Sequence, residues 1–359
     1  MILSPNCGSG RSEGGGMLNK PSQMRLEINE IPDVVEALIS HGSADIIAAA
    51  KALRAGDPRV VVTVARGSSD HVCAYFKYAC ELLLGLPVAS VGPSVASIWG
   101  ARMKLAGAAC ISVSQSGQSP DIVAMAKAAR RDGALTLAIT NDTGSALAGQ
   151  VVHVLDIHAG TERSVAATKT FVTSAVAMLL LVGYWRGDTG LIRAVMDLPE
   201  VLRRACDLTW PEVGAAVVAA PSLYTLGRGP SWAIANEAAL KFKETCRIHA
   251  ESYSSAEVLH GPVSIVETGF PVVCFAAHDK AEAAVVAIAD QLADKGATVF
   301  VTSDLAQKAR TIEHLRSGHP LADPIALIVS FYAMVERVAR ARGIDPDRPR
   351  HLRKVTQTL

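Results

Sequence analysis

The chain has little charge and almost no imbalance of it: 19% of its residues are charged, and 35 Lys plus Arg against 34 Asp plus Glu leave a net charge of +1. A nucleic-acid binder neutralises phosphates with clustered Lys and Arg, so that footprint is missing. No polybasic arm for a membrane surface is present either. The seven cysteines (7, 73, 80, 110, 206, 246 and 274) are odd in number, form no CxxC pair and mostly sit in apolar runs. A free thiol there behaves as a small hydrophobe, so neither disulfides nor a zinc site is implied. No apolar run reaches the ~20 residues that span a bilayer. The longest, residues 170–185, holds 16 residues with Thr and Ser among them and reads as a buried core helix. The opening MILSPNCGSGRSEGGGMLNK lacks the apolar centre of a secretory signal. Residues 1–23 are therefore expected to be a disordered leader, with Met17 or Met24 as alternative starts, and the protein to be cytoplasmic. Aromatics are scarce at 5%, yet half of the chain is hydrophobic and 28 residues are Gly. That composition excludes disorder, and 359 residues suit about two domains.

From about Pro58, short β-branched runs alternate with helical stretches. RVVVTVA (59–65), AACISVS (108–114), ALTLAIT (134–140) and VVHVLDI (151–157) are continuous apolar runs of the kind buried in parallel sheets. DIVAMAKAARR (121–131) follows Pro120 and stops before Gly133, which predicts a helix. Repeated units of this kind predict an α/β fold with a doubly wound parallel sheet. The pattern then recurs at an offset of 162 residues: Arg66, Gly67 and Ser69 fall on Arg228, Gly229 and Ser231, Ser90 on Ser252, and ITND (139–142) on VTSD (301–304). Two similar α/β domains are expected, at 44–188 and 214–344. A lead-in (24–43), a mainly helical connector (189–213) and a polar, basic, Pro-rich tail (345–359) complete the division.

The first chemical constellation is Ser114-Gln115-Ser116-Gly117-Gln118-Ser119-Pro120, between a predicted strand and a helix N-terminus. Backbone N–H groups and the positive helix end favour an anion there, and three hydroxyls with an amide can wrap a phosphate. A serine cap in a solvent turn is the plainer alternative. The loop has no GK[ST], so nucleoside triphosphate is not suggested. Gly67-Ser68-Ser69-Asp70 adds a second hydroxyl-rich turn at the same carboxyl edge, where open parallel sheets hold ligands. At the repeat offset, Ser114, Gln115 and Ser116 fall on Ala276, Ala277 and His278. One phosphate site per chain is expected.

The second constellation is EAALKFKE (237–244), where Glu237, Lys241 and Glu244 lie within about 60° on one helical face. An ordinary surface ion pair and a general-base arrangement, with the lysine tuning a carboxylate, both fit that spacing. His260, before a Gly-Pro turn, is either a structural loop histidine or a partner of that stripe.

With these residues on the page, the chain resembles tandem sugar isomerase (SIS) domain proteins, in particular the isomerase half of glucosamine-6-phosphate synthase and the SIS-type glucosamine-6-phosphate deaminases. The resemblance runs from MRLEINEIP (24–32) through ARGSS, SQSGQS, GTERSVAATKTF (160–171), LGRG, EAALKFKE and IHAESYSSAEVLHGP (248–262) to DRPRHLRKVT (347–356). It implies two SIS domains, each a parallel sheet flanked by helices in a flavodoxin-like three-layer sandwich. It implies that Ser68, Ser69, Ser114, Gln115, Ser116 and Ser119 hold a sugar phosphate and that Val165 and Ala167 line the sugar. Glu244 matches the family's base between C1 and C2, with Glu237 and Lys241 supporting it. His260 matches the ring-opening histidine, which the neighbouring subunit contributes in the family. Lys354 matches the tail lysine that reaches over the substrate and can form an imine with the open-chain ketose. Arg66 stands where the synthases often carry Cys, and Ser119 replaces a Thr.

The resemblance also implies a homodimer acting on a hexosamine or hexose 6-phosphate, without metal, cofactor, nucleic acid or membrane. Only some 40 residues precede the first domain, against about 240 for the synthases' glutaminase, and Cys7 lies in a Gly/Ser-rich stretch. The expectation is therefore a glucosamine-6-phosphate deaminase that makes fructose 6-phosphate and ammonia. Its rivals are an ammonia-dependent synthase, a simple hexose-phosphate isomerase and a non-catalytic amino-sugar-phosphate sensor.

Overall fold

The computed structural model describes residues 20–354, so most of the expected leader, including Cys7, lies outside the described residues. Three helices precede the first sheet: α1 (Gln23–Asn29), α2 (Ile31–Ala37) and α3 (Ser43–Gly56). The first unit then runs β1 (Val61–Val64), α4 (Ser68–Leu84), β2 (Val88–Ser90), α5 (Ser94–Ser97), β3 (Ala109–Val113), α6 (Pro120–Arg131), β4 (Leu135–Thr140), β5 (His153–Asp156) and α7 (Lys169–Arg186). The connecting helices are α8 (Thr189–Met196), α9 (Leu198–Ala205) and α10 (Pro211–Val217). The second unit runs β6 (Ser222–Gly227), α11 (Pro230–Lys241), β7 (His249–Ser254), β8 (Pro271–Cys274), α12 (Glu282–Asp294), β9 (Thr298–Val301), β10 (Arg310–Thr311) and α13 (Asp323–Ala341).

The two sheets have the same order, β2-β1-β3-β4-β5 and β7-β6-β8-β9-β10, and every described strand pair is parallel. That is the flavodoxin-like order, whose ligand crevice opens at the carboxyl edge beside the first strand. The apolar runs at 59–65, 108–114, 134–140 and 151–157 became β1, β3, β4 and β5 as their continuous hydrophobicity predicts. The repeat extends to backbone detail. Gly67 (φ 56°, ψ −134°) and Gly229 (φ 59°, ψ −133°), 162 residues apart, turn out of the first strand of each unit in the same left-handed conformation, which favours glycine.

Each sheet carries helices on both faces. In the first, α6 covers one face while α3, α4 and α7 cover the other; in the second, α12 faces α11 and α10 across the sheet. One continuous core joins the two units through α4, α7, α11 and α13. The expected core helix is α7, with sixteen of its eighteen residues buried. An apolar sequence of that length without a polar face belongs between two sheets, and no described helix is long and apolar enough to cross a membrane.

Candidate active site

The site is built where two helix N-termini of the first unit meet one helix C-terminus of the second. Ser114 ends the β3 edge, half of its polar capacity turned inward: Gly117 N–H donates to both the Ser114 carbonyl and Oγ at 3.2 Å. Gly117 itself must be glycine. Its φ is +59°, and a Cβ there would lie 2.1 Å from Ser145 Oγ. The tight loop that results feeds α6 through Ser119 and Pro120.

These residues and the start of α4 enclose a cavity of about 310 Å³, lined by Arg66, Ser69, Ser114, Gln115, Ser116 and Ser119 together with Lys354 from the tail. So six positions singled out in the sequence, from three separate segments, converge, and a guanidinium joins them. Arg66 is oriented by Asp121, a fully buried carboxylate whose Oδ2 accepts from Nε at 2.9 Å and from Nη2 at 2.7 Å. Positive helix ends, hydroxyls and two cations around one cavity are an environment for a dianion.

Ser68, the neighbour of Ser69, faces elsewhere. Its Oγ donates to Glu237 Oε1 at 3.1 Å and accepts from Lys241 Nζ at 3.1 Å. Glu237 and Lys241 are both fully buried, so the surface ion-pair alternative is excluded. The Glu237 carboxylate also accepts from Tyr332 Oη at 3.1 Å and His71 Nδ1 at 2.9 Å. Burial works to raise its pKa, yet Lys241 and His71 outweigh burial and hold the carboxyl below its usual range. Burial likewise works against the charged Lys241, and Glu237 and Glu244 outweigh it, lifting the ammonium above its usual range. Tyr332 is pushed far up, by its own burial first and by Glu237 next.

After Lys241 the helix widens into one π turn, residues Phe242–Cys246, closed by Arg247 in the left-handed region. That turn brings the Glu244 carboxylate against Lys241 Nζ. Single π turns recur at functional sites because they re-aim a side chain. Glu244 keeps 19% of its side chain exposed where Glu237 has none.

Two expected residues, Val165 and Ala167, are not part of the cavity's lining. Val165 and Ala167 are half-buried in the loop between β5 and α7, beside Ser164, whose carbonyl accepts from Lys354 Nζ at 2.6 Å. His260 is exposed between two short 3-10 turns, and its side chain makes no hydrogen bond or ion pair among the described residues. Among the described residues no group of three or more His, Cys, Asp or Glu is arranged to hold a metal ion. Residues that sequence reasoning gave no role are Arg66, Asp121, His71 and Tyr332. Arg66 alone was marked, by its repeat at Arg228 and as a departure from the synthases, and neither mark gave it a role.

The same edge of the second unit is closed by its own carboxylates. Where the first unit has Ser114–Ser116, the His278 backbone N–H donates to Asp323 Oδ2 at 3.0 Å, and His278 Nδ1 meets Glu282 Oε2 at 2.9 Å. Glu282, at the N-terminus of α12, also takes Ser303 Oγ at 2.7 Å and Arg316 Nη2 at 3.0 Å. An internal anion thus sits where a phosphate would, which gives a physical reason for the asymmetry. Calorimetry with inorganic phosphate should give one site per chain. Replacing Ser114 and Ser116 together by Ala should weaken it by roughly 10²- to 10⁴-fold, at ~1.5–3 kcal/mol for each of two hydrogen bonds to a charged group. A stoichiometry of two would refute the asymmetry.

The fold and this edge define a tandem α/β protein with an anion cavity beside a buried carboxylate–lysine cluster. The chain belongs to the SIS domain family, whose family model matches residues 57–183 and 217–336. It is similar to a crystal structure of a provisionally named phosphosugar isomerase from Silicibacter pomeroyi, 63% identical with a TM-score of 0.89, covering 91% of this chain and 100% of that one. Among curated proteins it is similar to the isomerizing glutamine–fructose-6-phosphate aminotransferases of Sulfurisphaera tokodaii (30% identical, 93% of this chain) and Aeropyrum pernix (32%, 95%). The chain spans 56% and 58% of the length of these two relatives. The glucosamine-6-phosphate deaminase of Thermotoga maritima shares the fold, with a TM-score of 0.77 at 19% identity over 94% of this chain and 100% of that one.

Proposed function

We propose that the chain is a phosphosugar aldose–ketose isomerase of the SIS family, and that its reaction converts glucosamine 6-phosphate to fructose 6-phosphate and ammonia. The observation that carries the reading is the adjacency of Ser69 and Ser68 on the first turn of α4: one lines the anion cavity, the next hydrogen-bonds the Glu237–Lys241 pair. A sugar phosphate anchored by its C6 phosphate is thereby aimed with C1 and C2 toward Glu244. Binding energy from the phosphate, remote from the reacting carbons, orients the open chain.

In this reading His260 from a second copy of the chain opens the pyranose, which accounts for its exposed, unpaired position. Glu244 removes the C2 proton to give an enolamine and returns the proton to C1, leaving a ketimine at C2. Water adds to the ketimine carbon and ammonia leaves with the C2 nitrogen. Lys241 Nζ pairs with the Glu244 carboxylate and holds it in place beside the sugar.

The test is incubation with a panel of hexosamine 6-phosphates, followed by assay of ammonia and ketose. Ammonia release from glucosamine 6-phosphate without glutamine is the expected result. Binding of phosphosugars with neither ammonia release nor aldose–ketose interconversion would replace the enzyme by a sensor.

A further inference from the structure

The opening motif MRLEINEIP has no part in the chemistry above, yet its side chains reach the site. Glu27, on α1, is fully buried and 136 residues away in sequence from its principal partner. Its carboxylate accepts Arg163 N–H at 2.5 Å and Ser164 N–H at 3.2 Å and 3.3 Å, with Gln23 Nε2 at 3.2 Å. Ser164 is therefore gripped on its N–H side by α1, and its carbonyl is the acceptor for Lys354 Nζ at 2.6 Å. The second acceptor of that ammonium is Glu162 Oε2 at 2.5 Å, a buried carboxylate that also takes the N–H groups of Thr168 and Thr170 and the Thr170 hydroxyl. Nearby, Glu30 of α1's end pairs with buried Lys169 at 2.6 Å.

The tail returns the contact at the other end of α1. Asp347 accepts Gln23 N–H at 2.7 Å and Met24 N–H at 2.8 Å, so a tail carboxylate satisfies two donors that the first turn of a helix leaves without partners. Pro346 and Pro349 are buried on either side of it. The contacts close a ring: α1 to Asp347, along the tail to Lys354, from Lys354 to Glu162 and Ser164, and from Ser164 to Glu27 on α1.

We propose that Glu27 and Asp347 are positioning residues that together hold Lys354 at the anion cavity, Glu27 by fixing the 163–164 peptide and Asp347 by clasping the tail to α1. The ring explains why a short N-terminal helix should carry a fully buried glutamate aimed at a loop so distant in sequence. An ammonium on a polar tail would otherwise lose side-chain entropy for two acceptors alone. The consequence for turnover rests on the role given to Lys354 above, whereas the docking itself does not.

Two readouts separate these. Limited trypsin digestion of the full chain, with cleavage after Arg353 and Lys354 followed by mass spectrometry, reads the docking. Turnover at saturating sugar phosphate, with the Kd for inorganic phosphate measured alongside, reads the consequence. Glu27→Ala and Asp347→Ala should each speed tail cleavage at least tenfold while sites elsewhere in the chain cleave as before. They should lower kcat and weaken phosphate binding severalfold, because Lys354 is one of the two cations lining the cavity, while the serines of the 114–119 loop do not touch the ring and keep the rest of the site intact. Glu27→Gln should be intermediate, since its amide oxygen still accepts an N–H. If Glu27→Ala fails to fold, Asp347→Ala on the half-buried tail carries the test. Unchanged tail cleavage in a folded Asp347→Ala or Glu27→Ala chain overturns the proposal. Faster cleavage with wild-type kcat would keep the clasp and refute the role of Lys354.

Discussion

Glu244→Gln is expected to lose solvent-proton exchange at C2 by on the order of 10³-fold while the sugar phosphate still binds, the size of effect that a positioned general base supplies. Two carboxylates stand beside Lys241, and the geometry distinguishes them. Glu237 is fully buried and already accepts from Ser68, His71, Tyr332 and Lys241, so its lone pairs are occupied by the protein. Glu244 has Lys241 as its partner and is partly open. Only a carboxylate with unoccupied lone pairs and access can take a carbon-bound proton. The amide of Gln keeps the shape and cannot accept the proton. Incorporation of deuterium from solvent at C2, followed by NMR, is the measurement, with calorimetric binding of the phosphosugar as the control. Normal exchange in Glu244→Gln, with exchange lost in Glu237→Gln, would move the base to Glu237.

How much of this was legible beforehand follows from the reach of each interaction. Strands β1, β3, β4 and β5 announce themselves through local apolar runs, and the second sheet follows from the repeat at offset 162. The edge strands β2 and β10 do not, because three and two residues at a rim, of which only Val88 is buried, carry no hydrophobic pattern. The phosphate loop was readable since its hydroxyls are contiguous. The stripe Glu237, Lys241 and Glu244 was readable as a face, whereas its burial was not: interleaved Ala and Leu suit a half-exposed helix as well as a covered one. What covers it comes from far away in sequence. Ser68, His71 and Tyr332 lie 169, 166 and 95 residues from Glu237. The π turn that aims Glu244 leaves no pattern either, and the ring through Glu27 and Asp347 spans most of the chain. Periodicity sees neighbours; a site assembled from three helix ends is a property of the packing.

The second large effect concerns Lys241, whose ammonium lies fully buried between Glu237 and Glu244. Lys241→Met should destabilise the fold by ~3–5 kcal/mol, because removing one partner leaves an uncompensated buried charge. It should also reverse the pH dependence of stability in the acid range. In the natural chain the folded-state pKa of Glu237 is depressed from its ordinary 4.5, so its contribution is present above that value and lost as pH falls through the depressed value. The folded-state pKa of Lys241 is raised from 10.5, so its contribution is present below 10.5 and lost as pH rises through the raised value. Between those limits the cluster gives a plateau. With Lys241 removed, burial becomes the dominant influence on Glu237 and pushes its carboxyl above the ordinary value. Protonation then favours the folded state, so the variant should gain stability, relative to the natural chain, on acidification from neutral pH toward pH 5, where the intact cluster contributes no slope. Urea unfolding across that range reads the slope. Lys241→Met combined with Glu237→Gln should recover much of the lost stability and abolish the slope, since the buried carboxylate is gone. A Lys241→Met chain whose stability stayed flat from neutral pH to pH 5 would show that Glu237 does not depend on Lys241 for its charge. The electrostatic account of the site would then fail at its centre, because Glu237 and Glu244 share that one ammonium as their partner.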